Sequence, residues 1–320
     1  VPRGADAVVR VEHTAADTDM ISVFSDADAG RNIRPRGEDV RKGSIAVAAG
    51  TTLRPGAIGL LASLGCGQVR VHRKPRVAIL STGDELVDVS LFAEVLAGRR
   101  IVNSNSYALA AAVRAVGAEP VVLGIARDDQ HELRQLLERG LAADVLVTSA
   151  GASVGEHDLV KDVLEQLGAR TEFWRVRMRP GSPFSFAVAN GVPVFGLPGN
   201  PVSAVVTFEI LVKPALRRML GRSDIYSPVI DARLGERVAN LTGLTQFLRV
   251  RLLREAGTWI ATLTGPQDSG ILSSVAHADG LLVLPEHSDE LAAGTDVKVV
   301  RLTSSDEAQT EPGYQTRKVT

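Results

Sequence analysis

The chain has 320 residues, of which 45% are hydrophobic and 23% charged, so a disordered or collagen-like protein is excluded. Its 36 Lys and Arg residues and 37 Asp and Glu residues give a net charge of −1, which provides no bulk basicity for nucleic acid or an anionic membrane. A single cysteine, Cys66, indicates a reducing cytoplasm, and no apolar run approaches the roughly 18 residues of a membrane helix.

The N-terminal part, residues 1–75, is predicted to be β-rich. Strand-like runs recur there, at residues 7–11, 45–48 and 67–72, and a short helix is predicted from Arg54 to Ser63. Because the chain begins at Val1 inside a strand-like run, we expect N-terminal sequence to be missing.

From residue 76 onward, short apolar runs alternate with longer helical patterns. The predicted strands lie at 77–80, 121–123, 145–147 and 194–197, and the predicted helices at 104–116, 130–141, 158–167 and 201–220. This alternation predicts βαβ units and a parallel sheet. We place this α/β domain at residues 76–222.

A polar linker separates the α/β domain from further strand patterns, which predict a small β-barrel or sandwich at residues 225–303. Residues 304–320 lack apolar periodicity and are predicted to be a disordered tail. The predicted fold is therefore a multi-domain α/β protein. Its central parallel-sheet domain is flanked by an N-terminal β-rich region and a C-terminal small β-barrel.

Ligands of parallel α/β sheets bind at the carboxyl ends of strands, and three turns at such ends are rich in small and acidic residues. The first contains Ser81, Thr82, Gly83, Asp84 and Glu85. Its small residues would let backbone N–H groups face an anion, and its acids would bind a cation. A plain turn with helix-capping acids is the alternative.

The second turn follows the strand at 145–147 and includes Ser149, Gly151, Ser153, Gly155 and Asp158. It would wrap a phosphate with backbone donors, and Asp158 would either cap the next helix or hold a divalent metal.

The third turn contains Pro198, Gly199, Asn200 and Ser203. There Asn200 and Pro201 begin a helix whose N-terminus favours anions, or form a cap without a ligand.

Three arginines, Arg175, Arg177 and Arg179, would share one face of an extended segment, where an anion would relieve their repulsion. A solvated edge strand explains them equally well. Together these patterns indicate an enzyme or binding protein for a phosphorylated anion, with Mg²⁺.

Six strings occur in order along the chain: Arg36-Gly37-Glu38-Asp39, residues 81–86, Asn103-Ser104-Asn105, residues 153–158, Arg179-Pro180-Gly181 and residues 196–203. Their order and spacing resemble the molybdopterin molybdenumtransferases of the bacterial MoeA type, which are similar to the E domain of gephyrin. The resemblance implies that adenylylated molybdopterin and molybdate bind together. Metal-assisted cleavage, with Mg²⁺, then releases AMP and yields the molybdenum cofactor.

The resemblance also implies roles for single residues. Glu85 and Asp158 match acidic positions that bind the metal or activate water, and Asp128 matches a further acid of the pocket. Arg175 and Arg179 match basic positions that would hold phosphate or molybdate, and Gly181 belongs to the same motif. Asp39 matches an acid near a partner-facing cleft. In the C-terminal domain, Arg249 and Ser269 match positions that face the site. The alternative for these two is that they are ordinary surface residues.

Two positions depart from the family pattern, because Ala150 and Asn103 stand where a Gly and an Asp are common. The family further implies a cytoplasmic homodimer that cooperates with a molybdopterin adenylyltransferase and with molybdoenzymes. A scaffold that binds molybdopterin without turnover is an alternative function. Adenylylation of molybdopterin is a third, which the regions flanking the α/β domain disfavour.

Overall fold

The structure is a computed structural model that describes residues 1–149, 159–239, 243–288 and 290–302. The chain divides into two compact units, residues 1–69 and the residues from 70 onward. None of the described helices combines the length and the apolar character that crossing a membrane requires. The tail predicted at 304–320 lies outside the described residues, and the boundaries at 75 and 222–225 stay predictions.

The first unit contains one hairpin and one α-helix: β1 (Thr14–Asp17), β2 (Met20–Val23) and α1 (Pro55–Ser63). The predicted helix is confirmed, and Pro55 begins it because a proline at the first helical position needs no N–H partner. The strands predicted at 7–11, 45–48 and 67–72 are not formed. None of these runs pairs with a strand among the described residues, and an unpaired run is not a strand.

The α/β part of the second unit runs to Met219. Its elements are β3 (Arg76–Thr82), β4 (Leu86–Val87), α2 (Phe92–Leu96), β5 (Ile101–Val102), α3 (Ser104–Val116), β6 (Glu119–Ala126), α4 (Gln130–Gly140), β7 (Val145–Ser149), α5 (Leu159–Gln166), β8 (Ala169–Trp174), β9 (Met178–Arg179), β10 (Ser185–Ala189), β11 (Val192–Leu197), α6 (Pro201–Thr207) and α7 (Lys213–Met219). A π-helical segment, Phe208–Val212, joins α6 to α7.

The main sheet has the strand order β6-β3-β7-β11-β10-β8. The first four strands are mutually parallel, as predicted, whereas β10 is antiparallel to both of its neighbours, so the sheet is mixed. The two-residue turn Asn190-Gly191, with φ of 51° and 82°, reverses the chain between β10 and β11. Asn-Gly is the pair that such a hairpin turn favours.

Alternate residues of β3 point to opposite faces of this sheet, so each face has its own core. Val77 and Ile79 belong to a cluster with α3 and the helix that ends with α7, whereas Ala78 and Leu80 belong to a cluster with α4 and α5. The chain passes from β3 to β6 on one side and then to β7 on the other. This reversal of strand order leaves a crevice at the carboxyl ends of β3 and β7, where ligands of α/β sheets bind.

The last part of the second unit is the predicted β-barrel. Its elements are β12 (Val229–Leu234), β13 (Val238–Ala239), β14 (Thr245–Glu255), β15 (Thr258–Leu263), α8 (Leu272–Ala276), β16 (Gly280–Leu284), β17 (Glu290–Leu291) and β18 (Asp296–Arg301). The order β15-β12-β18-β16-β14 is closed by the pairing of β14 with β15. The short strand β9 pairs with the start of β14 and so connects the α/β sheet region to the barrel.

Candidate functional site

A cavity of about 610 Å³, the larger cavity, lies beyond the carboxyl ends of β3 and β11. It brings the first and third predicted turns together, because Glu85, Pro198, Gly199 and Asn200 all line it. The other described residues in its wall are Leu86, Ile101, Val102, Asn103, Ser104, Asn105, Pro183, Pro201 and Gly270. One carboxylate, three asparagines and several apolar side chains therefore form the described part of this wall.

The turn after β3 is built to place Glu85. Gly83 has a φ of 137°, a backbone conformation that favours glycine, and a Cβ there would lie 2.5 Å from Glu85 Oε2 and push this carboxylate aside. Arg127 Nη1 donates to the carbonyl oxygens of Asp84 at 3.1 Å and of Leu86 at 3.3 Å, which holds the turn from the outside. Glu85 itself is exposed and faces the larger cavity.

Two other predicted acids lie beside this turn but not in the cavity wall. Asp84 Oδ1 accepts a hydrogen bond from the Asp128 N–H at 3.3 Å, which ties the turn after β3 to the turn after β6. Both side chains are exposed. Within the described ranges, no three His, Cys, Asp or Glu side chains cluster in a way that would hold a metal ion.

A network of hydroxyl groups lies beneath the larger cavity and is buried. Ser81 Oγ is 3.0 Å from Asn103 Oδ1, 3.0 Å from Ser106 Oγ and 2.9 Å from Ser149 Oγ. Asn103 Nδ2 donates to Ser106 Oγ at 2.8 Å, which identifies Oδ1 as the acceptor for Ser81. Since Ser81 has one proton, Ser106 and Ser149 must donate to it. Ser81 and Ser149 thus join the central strand ends, and Thr82 is also buried.

The helix after β11 begins at Pro201, as predicted, with Asn200 at the N-cap position. The Asn200 side chain makes no capping hydrogen bond among the described residues and lines the cavity instead. The Val202 N–H donates to the Ser269 carbonyl at 3.1 Å, so this group is not available to an anion. Ser203 is buried inside the helix. The helix start therefore offers fewer free donors than the sequence predicts.

A second, smaller cavity of about 200 Å³ lies between β9 and the barrel. Of the predicted residues, Arg179 and Arg249 line it. The other described lining residues are Pro180, Ala239, Gln246, Leu248, Gln267 and Asp268. The two cavities are neighbours, because the segments 179–183 and 267–270 contribute residues to both walls.

Arg249 is a fully buried arginine, with 0% of its surface exposed. Its Nε donates to Ser274 Oγ at 3.1 Å and its Nη2 to the Asp268 carbonyl at 3.3 Å, both neutral oxygens. Burial lowers the pKa of this guanidinium to about 10, and the charge of Arg179 acts in the same direction. The Asp268 carboxylate acts in the opposite direction. Two cations beside one carboxylate leave an excess of positive charge, which an anion would stabilise.

The prediction that Arg175, Arg177 and Arg179 share one face is wrong. Arg175 has a φ of 68°, which interrupts the extended backbone, and the strand here is only Met178–Arg179. Arg177 forms an ion pair with Glu286 at 3.0 Å. Arg175 is exposed and lines neither cavity.

The other predicted residues have different places. Gly181 has a φ of 107°, and a Cβ there would lie 2.3 Å from Thr207 Cγ2, so it packs the segment after Arg179 against α6. Asp39 belongs to the first unit and is exposed. The predictions for Gly151, Ser153, Gly155 and Asp158, and the departure at Ala150, lie outside the described residues.

Sequence reasoning predicted Asn200 but assigned no role to two other amides, Asn105 and Gln267. Asn105 Nδ2 donates to the Gly199 carbonyl at 2.8 Å, which links α3 to the turn after β11, and its buried Oδ1 has no partner among the described residues. Gln267 holds the main chain of Arg249. The string Asn103-Ser104-Asn105 was a signal for the first, whereas no pattern in the sequence marks a single glutamine.

Comparisons with known proteins cover nearly the whole chain. Family profiles match residues 78–218 as "Probable molybdopterin binding domain", residues 1–65 as "MoeA N-terminal region (domain I and II)" and residues 231–302 as "MoeA C-terminal region (domain IV)". Molybdopterin molybdenumtransferase 2 of Mycobacterium tuberculosis is 39% identical over 309 residues, which are 95% of this chain and 75% of that protein.

A second relative, the molybdopterin molybdenumtransferase of Staphylococcus aureus, is 34% identical over 97% of this chain and 74% of its own length. The crystal structure of the molybdopterin biosynthesis MoeA protein from Pyrococcus horikoshii superimposes with a TM-score of 0.78 at 34% identity, and the match covers 95% of this chain and 74% of that one. The chain therefore spans about three quarters of these relatives. On these findings, this chain belongs to the molybdopterin molybdenumtransferase family and thus to molybdenum cofactor biosynthesis.

Proposed function

We propose that this protein transfers molybdenum from molybdate to adenylylated molybdopterin and releases AMP. One observation carries this proposal: the larger cavity, with the carboxylate Glu85, adjoins a smaller cavity with two guanidinium groups. The larger cavity takes adenylylated molybdopterin, and the smaller one takes molybdate. Pro183 and Gly270 of the larger cavity lie close in the chain to Pro180 and Asp268 of the smaller one, which supports contact between the two substrates.

Charge and size support molybdate in the smaller cavity. Arg179 and Arg249 supply two positive charges, and hydrogen bonds between guanidinium groups and oxyanions are among the strongest in proteins. A volume of about 200 Å³ suits a small tetrahedral oxyanion rather than a nucleotide. Because Arg249 is buried, its attraction for an anion is little screened by solvent.

The composition of its wall supports an organic substrate in the larger cavity. Its volume of about 610 Å³ lies within the usual range of roughly 300–1,000 Å³ for ligand pockets. Leu86, Ile101, Val102 and Pro183 provide apolar surface for a planar heterocycle, and the asparagine amides provide polar contacts. Ser81 and Ser149 lie below this wall, and the hydrogen bond between them holds the ends of β3 and β7 together.

The residues present fit a magnesium ion in part. Mg²⁺ is commonly held by one or two carboxylates together with substrate phosphates, and Glu85 is a carboxylate in the cavity wall. We propose Glu85 and Asp158 as its ligands, of which Asp158 lies outside the described residues. When bound, the metal would neutralise charge on the pyrophosphate and favour the departure of AMP. Alternatively, Glu85 accepts a proton from a water molecule that attacks the pyrophosphate.

Further parts of this proposal concern residues and partners beyond the two cavities. Asp39, Asp128 and Arg175 are proposed substrate contacts, and we propose a cytoplasmic homodimer that receives its substrate from a molybdopterin adenylyltransferase and supplies molybdoenzymes. The resemblance to the family supports these points, and the single cysteine supports a reducing compartment.

The test is an assay with adenylylated molybdopterin, molybdate and Mg²⁺, in which AMP is quantified by chromatography. We expect AMP release that depends on molybdate. Tight binding of adenylylated molybdopterin without AMP release would contradict the transferase and favour the scaffold function.

A further inference from the structure

Arg249 lies at a gap between two strands that pair with the same edge of β14. On one edge, β16 pairs with residues 246–250. On the other edge, β9 pairs with Thr245 and Gln246, and β15 pairs from Val250 onward. The N–H and C=O groups of Arg249 point toward this second edge, beyond the last paired residue of β15.

The side chain of Gln267 fills this gap in the manner of a strand. The Arg249 N–H donates to Gln267 Oε1 at 2.8 Å, and Gln267 Nε2 donates back to the Arg249 carbonyl at 3.2 Å. Nε2 also donates to the Gly265 carbonyl at 2.8 Å, which fixes the loop that carries the amide. The Arg249 carbonyl also accepts from the N–H of Thr264, the residue after β15, at 3.0 Å. The Arg249 N–H has Gln267 Oε1 as its acceptor, so Gln267 completes the pairing that the residue after β15 leaves open.

The same loop also holds the guanidinium group. Asp268 follows Gln267, and its carbonyl accepts from Arg249 Nη2 at 3.3 Å. Gln267, Asp268 and Arg249 all line the smaller cavity. Displacement of this loop would therefore change both the backbone position of Arg249 and the direction of its side chain.

We propose that Gln267 is a positioning residue for molybdate, which aims the buried guanidinium of Arg249 into the smaller cavity. This inference rests on the proposed function. The amide oxygen of Gln267 supplies the acceptor for the Arg249 N–H, and its amide nitrogen ties the Arg249 carbonyl to that of Gly265. An asparagine is shorter by one methylene group.

The test is the Gln267→Met variant, which keeps the length of the side chain and removes both hydrogen bonds. We expect the KM for molybdate to rise by about tenfold or more, as when a residue that orients a ligand is lost. The kcat at saturating molybdate stays within about twofold, because Gln267 acts on the affinity for molybdate and does not line the larger cavity.

The matched control is Glu236→Met. Glu236 Oε1 accepts from the Leu263 N–H at 2.9 Å, so this variant removes a bond of the same type from the same barrel without touching Arg249. Its KM for molybdate should stay at the wild-type value. An equal rise in both variants would show general loosening of the barrel and would overturn the positioning role.

Arg249→Met separates failure of this inference from failure of the proposed site. A raised KM in Arg249→Met with an unchanged KM in Gln267→Met overturns the role of Gln267 alone. An unchanged KM for molybdate in both variants overturns the smaller cavity as the molybdate site, and the inference about Gln267 fails with it.

If the wild type releases no AMP, the proposed function fails. The affinities of the same variants for molybdate, measured by calorimetry, then decide whether Gln267 positions Arg249. Should Gln267→Met not fold, Gln267→Leu, which also lacks both hydrogen-bonding groups and adds no charge, takes its place with the same expected rise.

Discussion

The two cavities are lined by neighbouring segments of the chain but differ in charge. In the described part of its wall, the larger cavity has one carboxylate, Glu85, among neutral amides and apolar side chains, whereas the smaller one has two guanidinium groups and one carboxylate, Asp268. An oxyanion can therefore be held directly by protein in the smaller cavity. A pyrophosphate beside Glu85 needs a cation between the two negative groups. We therefore expect metal dependence at the larger cavity and oxyanion affinity at the smaller one.

Removal of divalent cations should have the largest effect and should break this division most clearly. Chelation with EDTA should reduce AMP release to background, and added Mg²⁺ should restore it. Molybdate affinity, measured by calorimetry, should be unchanged, because the arginines bind it without a metal. A parallel loss of molybdate binding would contradict the separation of the two cavities.

The Glu85→Gln variant tests the carboxylate of the larger cavity. We expect AMP release to fall by about 10²–10⁴-fold, the usual contribution of a positioned acid or base. The KM for molybdate should not change, because Glu85 does not line the smaller cavity. Glu119→Gln, an exposed change at the opposite end of the sheet, serves as the control in the same assay. Equal rates in Glu85→Gln and wild type would remove Glu85 from the mechanism.

The Arg179→Met variant tests the cationic cavity. Loss of one charge-assisted hydrogen bond, worth about 1.5–3 kcal/mol, should raise the KM for molybdate by roughly 10- to 150-fold. Arg177→Met is the matched control, since Arg177 is two residues away and pairs with Glu286. Steady-state kinetics with varied molybdate distinguish the two variants, and similar values would contradict a specific role of Arg179.

A smaller effect, on stability rather than on charge, is expected beneath the larger cavity. Ser81→Ala removes the donor to Asn103 Oδ1 and the acceptor for Ser106 and Ser149, all of them buried. We expect the free energy of unfolding in urea to fall by about 1–3 kcal/mol. The exposed control Ser63→Ala should change it by less than about 0.5 kcal/mol. A stable Ser81→Ala protein without molybdate turnover would instead indicate direct substrate contact.

The smallest effect concerns pH and the first unit, away from both cavities. Hydrogen bonds from the Arg10 N–H and guanidinium lower the pKa of Asp28 from 3.8 to about 2. A depressed carboxyl pKa stabilises the fold above its ordinary value, and this contribution is lost as the pH falls from 3.8 toward 2. Asp28→Asn should therefore lower the Tm at pH 7. As the pH drops from 3.8 toward 2, the Tm of this variant should fall less than that of the wild type. An unchanged profile would contradict the role of Asp28.

Much of the fold could be predicted from the sequence, because the signals are local. The apolar runs of β3, β7 and β11, the helix start at Pro201 and the closed barrel were all predicted correctly. The direction of β10 was not predicted, although the Asn190-Gly191 pair signals a hairpin. In the N-terminal unit, three strand-like runs have no strand partner among the described residues, and propensity alone did not make them strands.

The candidate site was predicted less completely, since a motif does not say which of its side chains reach a cavity. Glu85, Asn200, Arg179 and Arg249 do, whereas Ser81 and Ser149 use their hydroxyl groups on each other. By itself, the sequence determined the four parallel strands of the main sheet, the helix start at Pro201 and the family, because periodicity and turn chemistry act over a few neighbouring residues. Only the tertiary structure decided that β9 pairs with β14 and that Gln267 completes the strand edge at Arg249, because these contacts join segments that lie far apart in the chain.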